Sequence, residues 1–144
     1  MSNTMREILF RGKRVDNGKW ITGFLSKTST RFKYCIEYIE HGIMMYGEVD
    51  PETVGQFTGL TDKNGTRIFE GDIVTLPEET EPYEMRYVIQ WEEDNARFIA
   101  TAEGDTYSFD NIWGCQVEVI SNVHDNFELL KGVYNDKGRV IGCS

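Results

Sequence analysis

Apolar side chains alternate with polar ones along much of the chain, in short runs that tight turns separate. In residues 83–91, Tyr, Met, Tyr, Ile and Trp alternate with Glu, Arg, Val and Gln. Residues 32–38 repeat the pattern, with two tyrosines, a phenylalanine and an isoleucine on one face. Successive side chains of a strand point to opposite faces, so both segments are predicted to be half-buried β-strands that enclose a water-free interior.

Turn residues mark further strands on either side of these two segments. Asn17-Gly18 lies between strand candidates 6–15 and 19–25, and this dipeptide is typical of a type I′ hairpin, whose two central residues need positive φ. Residues 43–46 are expected to pair back on 32–38 across a short turn at His41-Gly42. Asp50-Pro51 then breaks the pattern, because proline lacks the N–H that a central strand donates.

The pattern of the second half of the chain also predicts strands. Residues 56–76 predict a compact β-meander with strands 56–60, 66–69 and 73–76. The segment 77–84, PEETEPYE, is interpreted as an exposed acidic loop. Further strands are expected at 97–102, 106–113 and 116–123. Many short strands separated by tight turns favour a barrel or sandwich over a parallel α/β sheet.

One short helix is predicted near residue 128. Asp125 can cap it, Glu128 can reach back to the free backbone donors, and Gly132 can end it. Phe127 and the two following leucines would anchor this helix. The remaining tail, 133–144, could form a small hairpin around residues 136–138.

Charge is distributed unevenly along the chain, whose net charge is −9. Residues 1–36 contain eight Lys or Arg and two Asp or Glu, a net of +6, and the remainder carries −15. The asymmetry indicates a basic patch that faces nucleic acid or an acidic surface of another copy. Alternatively, the charges are solvated and keep the protein soluble.

Four basic residues are the candidate contacts to nucleic acid phosphates or to a partner: Arg11, Lys13, Arg31 and Lys33. Aromatic side chains are interleaved with them, as in proteins that bind single strands. The simpler interpretation is that these aromatic residues form the core face of the first sheet. A protein of net charge −9 also repels DNA at long range, so nucleic acid is not the favoured partner.

Ligand and nucleophile residue types do not cluster in the sequence. The two histidines and three cysteines lie far apart, which disfavours a zinc site, and residues 62–65 are interpreted as a turn rather than a calcium loop. Cys115 and His124 could form a catalytic pair only if the fold brings them together. Glu70 and Asp72 could serve acid/base chemistry or bind a cation, although solvated turn residues are the simpler interpretation.

These observations predict no catalytic residues, no cofactor and no metal. Three cysteines, an odd number in a domain of this size, are interpreted as reduced thiols. The N-terminal segment lacks an apolar signal region, and no apolar run approaches the ~18 residues of a membrane span. A cytoplasmic protein with no membrane partner is therefore expected.

Three blocks of sequence resemble the YopX family of phage and prophage proteins: REILFRGKRVDNGKW at the N-terminus, QFTGLTDKNGTRIFEGDIV at 56–74, and ISNVHDNFELL at 120–130. The resemblance covers roughly residues 5–131, whereas 26–55 and 77–84 have no counterpart in it. It implies a β-rich fold with an SH3-like barrel at its centre. It implies no established enzymatic activity or ligand.

The combined prediction is a mainly β, antiparallel protein with an SH3-like barrel core, an additional N-terminal hairpin or sheet, and one short C-terminal helix. The expected division is an N-terminal β subdomain at 1–55, the barrel with its terminal helix at 56–131, and a tail at 132–144. The expected function is that of a non-catalytic phage accessory protein that binds a host or phage protein or self-assembles. Basic residues 1–36 could dock on acidic residues 70–110 of another copy and close a ring. The alternative is a nucleic-acid-binding protein of phage replication or transcription.

Overall fold

The computed structural model describes residues 6–27, 33–76, 85–102, 104–109 and 116–130. Over these ranges the chain is mainly β, with two antiparallel sheets and two single 3-10 turns. None of the helical segments in these ranges is long and apolar enough to cross a membrane. The chain divides into two compact units, residues 1–59 and 60–144.

The first unit contains four strands and most of a fifth: β1 (Phe10–Lys13), β2 (Trp20–Lys27), β3 (Tyr34–Glu40), β4 (Ile43–Val49) and β5 (Gly55–Thr61), which crosses the division between the units. The hydrogen-bonded order of this sheet is β4-β3-β2-β1-β5-β6, where β6 is Arg67–Phe69, so β4 is an edge strand. The buried apolar residues of its strands β1 to β5 are Ile36, Val49 and Phe57. Gly12 belongs to this interior, because a Cβ there would lie 2.9 Å from Cβ of Val49.

A 3-10 turn, Pro51–Thr53, separates β4 from β5. The Asp50 carboxylate accepts a hydrogen bond from the Glu52 amide at 3.0 Å and caps the turn. Thr53 is buried, and its Oγ1 accepts a hydrogen bond from the Lys13 amide at 2.9 Å. The predicted break at Asp50-Pro51 is therefore confirmed.

The second unit is built on a five-stranded sheet of order β10-β9-β8-β7-β11. Its strands are β7 (Asp72–Thr75), β8 (Arg86–Glu92), β9 (Arg97–Ala102), β10 (Asp105–Ser108) and β11 (Glu118–Asn122). One face packs a core of Ile68, Val74, Tyr87, Ile89, Ala100, Ala102 and Val117. No closed barrel is found among the described strands, so the SH3-like barrel is not confirmed, whereas the mainly β, antiparallel class is.

The other face of this sheet is covered as well. Ile73 and Val88 are buried against Leu130, which belongs to the second 3-10 turn, Phe127–Leu130. We expected β8 to be half-buried, but Val88 points to the face that Leu130 covers and is only 6% exposed. The middle of β8 is therefore buried on both sides.

The predicted C-terminal helix is only this single 3-10 turn. The Asn122 side chain orders the turn just before it: its Oδ1 accepts hydrogen bonds from the amides of His124 and Asp125 at 3.0 and 2.9 Å. The Arg86 guanidinium donates to the Leu129 carbonyl. These bonds to β8 and to the end of β11 hold a tight turn, which explains why the apolar residues there do not continue as an α-helix over the described part of the segment.

Candidate functional site

Among the described residues of the first unit, the β3–β4 hairpin carries the largest group of exposed apolar side chains. Ile39, Ile43 and Tyr46 are 68%, 62% and 63% exposed, and Met44 and Met45 are also exposed. We call these five residues the hairpin patch. β4 pairs with β3 over Tyr34–Glu40, but β2 pairs with β3 only over Tyr34–Glu37. The hairpin end is therefore a two-stranded ribbon with apolar groups on both faces.

A two-residue turn closes this hairpin. His41 and Gly42 have φ values of 51° and 77°, and Glu40 pairs with Ile43. Two positive φ values in a two-residue loop define the type I′ geometry. We expected this geometry at Asn17-Gly18, where the hairpin itself is confirmed but Asn17 is not among the residues with positive φ. The Asn17 side chain instead accepts a hydrogen bond from the Lys19 amide at 2.9 Å, in a longer loop.

The basic candidates are divided between two places in the first unit. Arg11 and Lys13 are two residues apart on β1, and both lie beside Trp20: the Arg11 Cζ is 4.8 Å and the Lys13 Nζ 5.7 Å from the ring centroid. Lys33 forms an ion pair with Glu48 at 3.3 Å. Arg31 lies outside the described residues. The structure thus brings Arg11 and Lys13 together and pairs Lys33 with an acid of β4.

Arg14 is a basic residue that the sequence did not single out. Its guanidinium donates hydrogen bonds to both carboxylate oxygens of Asp16, at 2.9 and 2.8 Å, and to the Tyr38 hydroxyl at 2.6 Å. The bond with Asp16 raises the pKa of Arg14, and the Arg14 guanidinium in turn lowers the pKa of Asp16. The positive charge of Arg14 is therefore neutralised within the unit.

The carboxylate pair Glu70 and Asp72 does not form a solvated acidic site. Asp72 is 1% exposed, and its Oδ2 accepts a hydrogen bond from the Phe69 amide at 2.7 Å. The tight turn between them is completed by Gly71, whose φ is 92°. Asp72 therefore stabilises the turn between β6 and β7, which contradicts the interpretation of both acids as solvated turn residues.

Asp62 is the second buried carboxylate, and it organises the turn after β5. Its Oδ1 accepts hydrogen bonds from the amides of Asn64 and Thr66, at 2.8 and 2.9 Å. Its Oδ2 accepts one from the Val119 amide of β11 at 2.9 Å. Both oxygens are directed at backbone donors, so residues 62–65 form a turn rather than a calcium loop, as predicted.

The remaining chemical candidates are not brought into a site by the described residues. Cys115 lies outside them, so its distance from His124 is not described. Over the ranges that the structure covers, no group of three or more His, Cys, Asp or Glu side chains could hold a metal ion. The hairpin patch is therefore the surface that most needs a functional explanation. Its sequence signal was the uncharged run GIMMYG at 42–47, which follows a tight turn.

Fold and surface together define a mainly β protein with two antiparallel sheets and an apolar hairpin at a sheet edge. The sequence pattern of the family described as YopX protein matches residues 9–131. The chain belongs to the YopX family, as the three sequence blocks predicted.

A solved structure, protein EF1440 from Enterococcus faecalis, is similar to this chain. The TM-score is 0.52 at 22% sequence identity, over 88% of this chain and 99% of that chain. At this identity the likeness shows the fold alone. No curated protein matches the chain.

Proposed function

We propose that this protein is a phage-encoded accessory protein without catalytic activity, a β module that binds a protein partner through the hairpin patch in the cytoplasm of a bacterial host. The partner is a host or phage protein or another copy of the chain. The observation that carries the proposal is the exposure of five large apolar side chains on one edge hairpin.

The size of this surface supports a binding role. The hairpin patch comprises five exposed apolar residues, which lie on both faces of one two-stranded ribbon. Single exposed apolar residues are normal on proteins, but five on one hairpin favour a covered surface. Each Å² that a partner removes from water contributes roughly 25 cal/mol before the costs of association.

Charge also favours a protein partner for the first unit. Residues 1–59 contain eight Lys or Arg and seven Asp or Glu, a net of +1, whereas residues 60–144 carry −10. The ion pairs of Arg14 with Asp16 and of Lys33 with Glu48 neutralise two of the cations locally. An apolar patch on a nearly neutral unit suits an apolar protein surface better than a phosphate backbone.

The test uses a photo-crosslinking amino acid at position 46, introduced into the full chain in cells of a bacterium that carries the phage. The matched control places the same amino acid at Gln90, an exposed position of β8. We expect a covalent protein adduct from position 46 and none from position 90. The proposal fails if position 46 yields no adduct, or only adducts that position 90 yields equally.

A second candidate function, nucleic-acid binding, has one observation in its favour. Arg11 and Lys13 lie on the same face of β1 and flank the aromatic ring of Trp20. Fluorescence anisotropy with single- and double-stranded oligonucleotides at low salt tests it, because the phosphate contribution is strongest there. Binding that is lost in an Arg11→Ala/Lys13→Ala variant, but kept in Tyr46→Ser, would favour this function over the proposed one.

A further inference from the structure

We propose that the protein partner of the hairpin patch is a second copy of this chain, and that β4 pairs with β4 of that copy around a two-fold axis. The inference rests on the proposed function and names the partner. It predicts one continuous sheet that joins the first units of two copies, with antiparallel strands at the junction.

The backbone of β4 has a defined outward side. In a two-residue hairpin the flanking residues, here Glu40 and Ile43, form the first hydrogen-bonded pair. The backbone groups of Ile43, Met45 and Gly47 therefore point toward β3. Those of Met44 and Tyr46, and of Glu48 beyond them, point away from the sheet.

Two hydrogen bonds confirm this direction and limit the free edge. The Glu48 carbonyl accepts from the Val15 amide at 3.0 Å, and the Asp50 amide donates to the Lys13 carbonyl at 2.9 Å. These bonds occupy the outward side at the end of β4, next to the bridge between Arg14 and Val49. No described strand pairs with the outward groups of Met44 and Tyr46, which lie at the edge of the sheet.

These directions select one register for two β4 strands. A two-fold axis perpendicular to the sheet keeps each face continuous, so facing residues must belong to the same side of the strand. With Met45 opposite Met45 of the other copy, Met44 faces Tyr46, and the outward groups of these residues form four backbone hydrogen bonds across the axis. The contact across the axis is limited to residues 44–46, because the space beside Gly47 is filled: a Cβ there would lie 2.5 Å from Cδ1 of Ile21 and 3.2 Å from Nη1 of Arg14.

The composition of the free β4 edge allows it to pair with the same edge of a second copy. Natural edge strands are protected by Lys, Pro, bulges or inward charges, but residues 42–47, GIMMYG, contain no charged residue and no proline. Every facing pair in the proposed register between positions 43 and 47 is uncharged, so no like charges oppose each other there. A two-fold interface needs this self-complementarity, because the same patch serves both copies.

The interface is expected to be small. Pairing of two β4 edges covers only part of each hairpin patch, because its side chains project from both faces and Ile39 lies on β3, so the buried area falls below the roughly 1,200 Å² of standard specific interfaces. The four backbone hydrogen bonds add to this apolar contact. We therefore expect a reversible dimer at micromolar concentrations rather than an obligate one.

The first test measures the mass of the purified full-length protein in solution. The monomer mass is 16.6 kDa. We expect twice this mass at tens of micromolar, and the monomer mass for Met44→Pro and for Met44→Lys. Proline at this position removes only an outward N–H, which a monomer does not use. The matched control, Phe24→Lys, changes a residue that is 58% exposed on β2, away from the edge, and should remain a dimer.

The second test locates the axis and does not depend on the fold of the proline variant. In a chain whose three cysteines are replaced by serine, Met45→Cys places two thiols opposite each other at a non-hydrogen-bonded pair, whose Cα atoms are roughly 4.5 Å apart. Oxidation should crosslink most of this variant. Met44→Cys, which faces Tyr46, should crosslink at least fivefold more slowly.

Each outcome decides between the two proposals. A monomeric wild type, a dimer that persists in a folded Met44→Pro variant, or equal crosslinking of both cysteine variants overturns the β4 dimer. A larger assembly that dissociates at high salt also overturns it and favours the ring of basic and acidic surfaces. If position 46 captures a different protein in cells while the purified chain is monomeric, the proposed function stands and this inference fails.

Discussion

The β8–β9 and β3–β4 hairpins have similar lengths, but the apolar side chains of the first are mostly buried and those of the second are mostly exposed. In the second unit, β8 lies between β7 and β9, and its Ile89 packs in the core. In the first unit, β4 lies at the edge, and its residues 43–46 are exposed on both faces. Both segments are rich in apolar residues, so the difference lies in what packs on the faces of each strand, such as Leu130 on Val88. Packing on these faces, rather than alternation alone, decides whether the side chains of such a hairpin are buried or exposed.

The ends of the two hairpins differ in the same way. The β8–β9 end is polar: Glu92 accepts hydrogen bonds from Asn95 and Arg97 at 2.7 and 2.8 Å. Just inside it, the rings of Trp91 and Phe98 meet edge to face, 5.1 Å apart. The β3–β4 end presents Ile39 and Ile43 to solvent instead. One end carries hydrogen-bonded polar groups, and the other exposes apolar side chains.

The largest expected effect is the difference in unfolding free energy between a variant of a buried isoleucine and a variant of an exposed one. We expect Ile89→Ala to lower the free energy of unfolding by about 2–5 kcal/mol, because it leaves a cavity in the core. Ile39→Ala, on the exposed face of β3, should change it by less than about 0.5 kcal/mol. Urea unfolding of the two variants, followed by fluorescence below the concentration of dimer formation, measures both. Similar losses would show that the β3–β4 hairpin is as well packed as β8–β9.

The next largest expected effect is the loss of stability when the buried carboxylate of Asp62 is removed. The β3–β4 turn has no such carboxylate among its described residues. Asp62→Ala leaves three backbone amides without their acceptor, and we expect a loss of about 2–4 kcal/mol. Asp16→Ala is the matched control, because its carboxylate is exposed and its ion pair with Arg14 contributes little. Equal stability of the two variants in urea would contradict the role assigned to Asp62.

The two turns provide a smaller and more local comparison. His41 and Ala96 both have positive φ, 51° and 50°. Glycine at either position should stabilise the protein by roughly 0.5 kcal/mol, because relief of backbone strain exceeds the added entropy of the unfolded chain. Gly42→Ala, at φ 77°, should destabilise it by a similar amount or more. Thermal unfolding of the three variants measures the signs, and a loss for either glycine variant would show that the turn is not strained.

The smallest effect is a difference in acid sensitivity. Hydrogen bonds from Asn95 and from Arg97 lower the pKa of Glu92 below its ordinary value of 4.5. A lowered carboxyl pKa stabilises the folded state above the ordinary value, and this contribution is lost as the pH falls through the lowered pKa. Amide exchange of the β8–β9 turn should therefore quicken in acid relative to neutral pH after correction for intrinsic rates. A Glu92→Gln variant should lack this change, and an unchanged wild-type turn would contradict it.

The sequence predicted most strand positions because alternation is a local property. The strand at 43–46, the break at Pro51 and the three strands within 56–76 all follow from the order of apolar residues and turn residues. The predicted meander is wrong, because β6 belongs to the six-stranded sheet and β7 to the five-stranded sheet. Burial could not be predicted in the same way. Val88 is buried because Leu130, which is 42 positions later in the sequence, packs on it. Met44 and Tyr46 are exposed because no described strand follows β4 in the sheet.

The candidate site was predicted less well than the fold. Arg11, Lys13 and Lys33 were selected from charge, but charge along the chain does not show that Trp20 and Glu48 lie beside them. The I′ turn occurred at His41-Gly42 rather than at Asn17-Gly18, since an Asn side chain can also fold back on its own loop. The hairpin patch was missed because alternating apolar residues predict a core face until the neighbouring strands are known.

The cover that Leu130 provides has a consequence for the order in which the protein is made. The ribosome synthesises β7 and β8 well before residue 130. Until Leu130 is added, Ile73 and Val88 therefore lack the side chain that covers them in the folded protein. Newly made chains would therefore expose an apolar sheet face for the time needed to add about forty residues. Chaperones that recognise such faces would have that interval in which to bind.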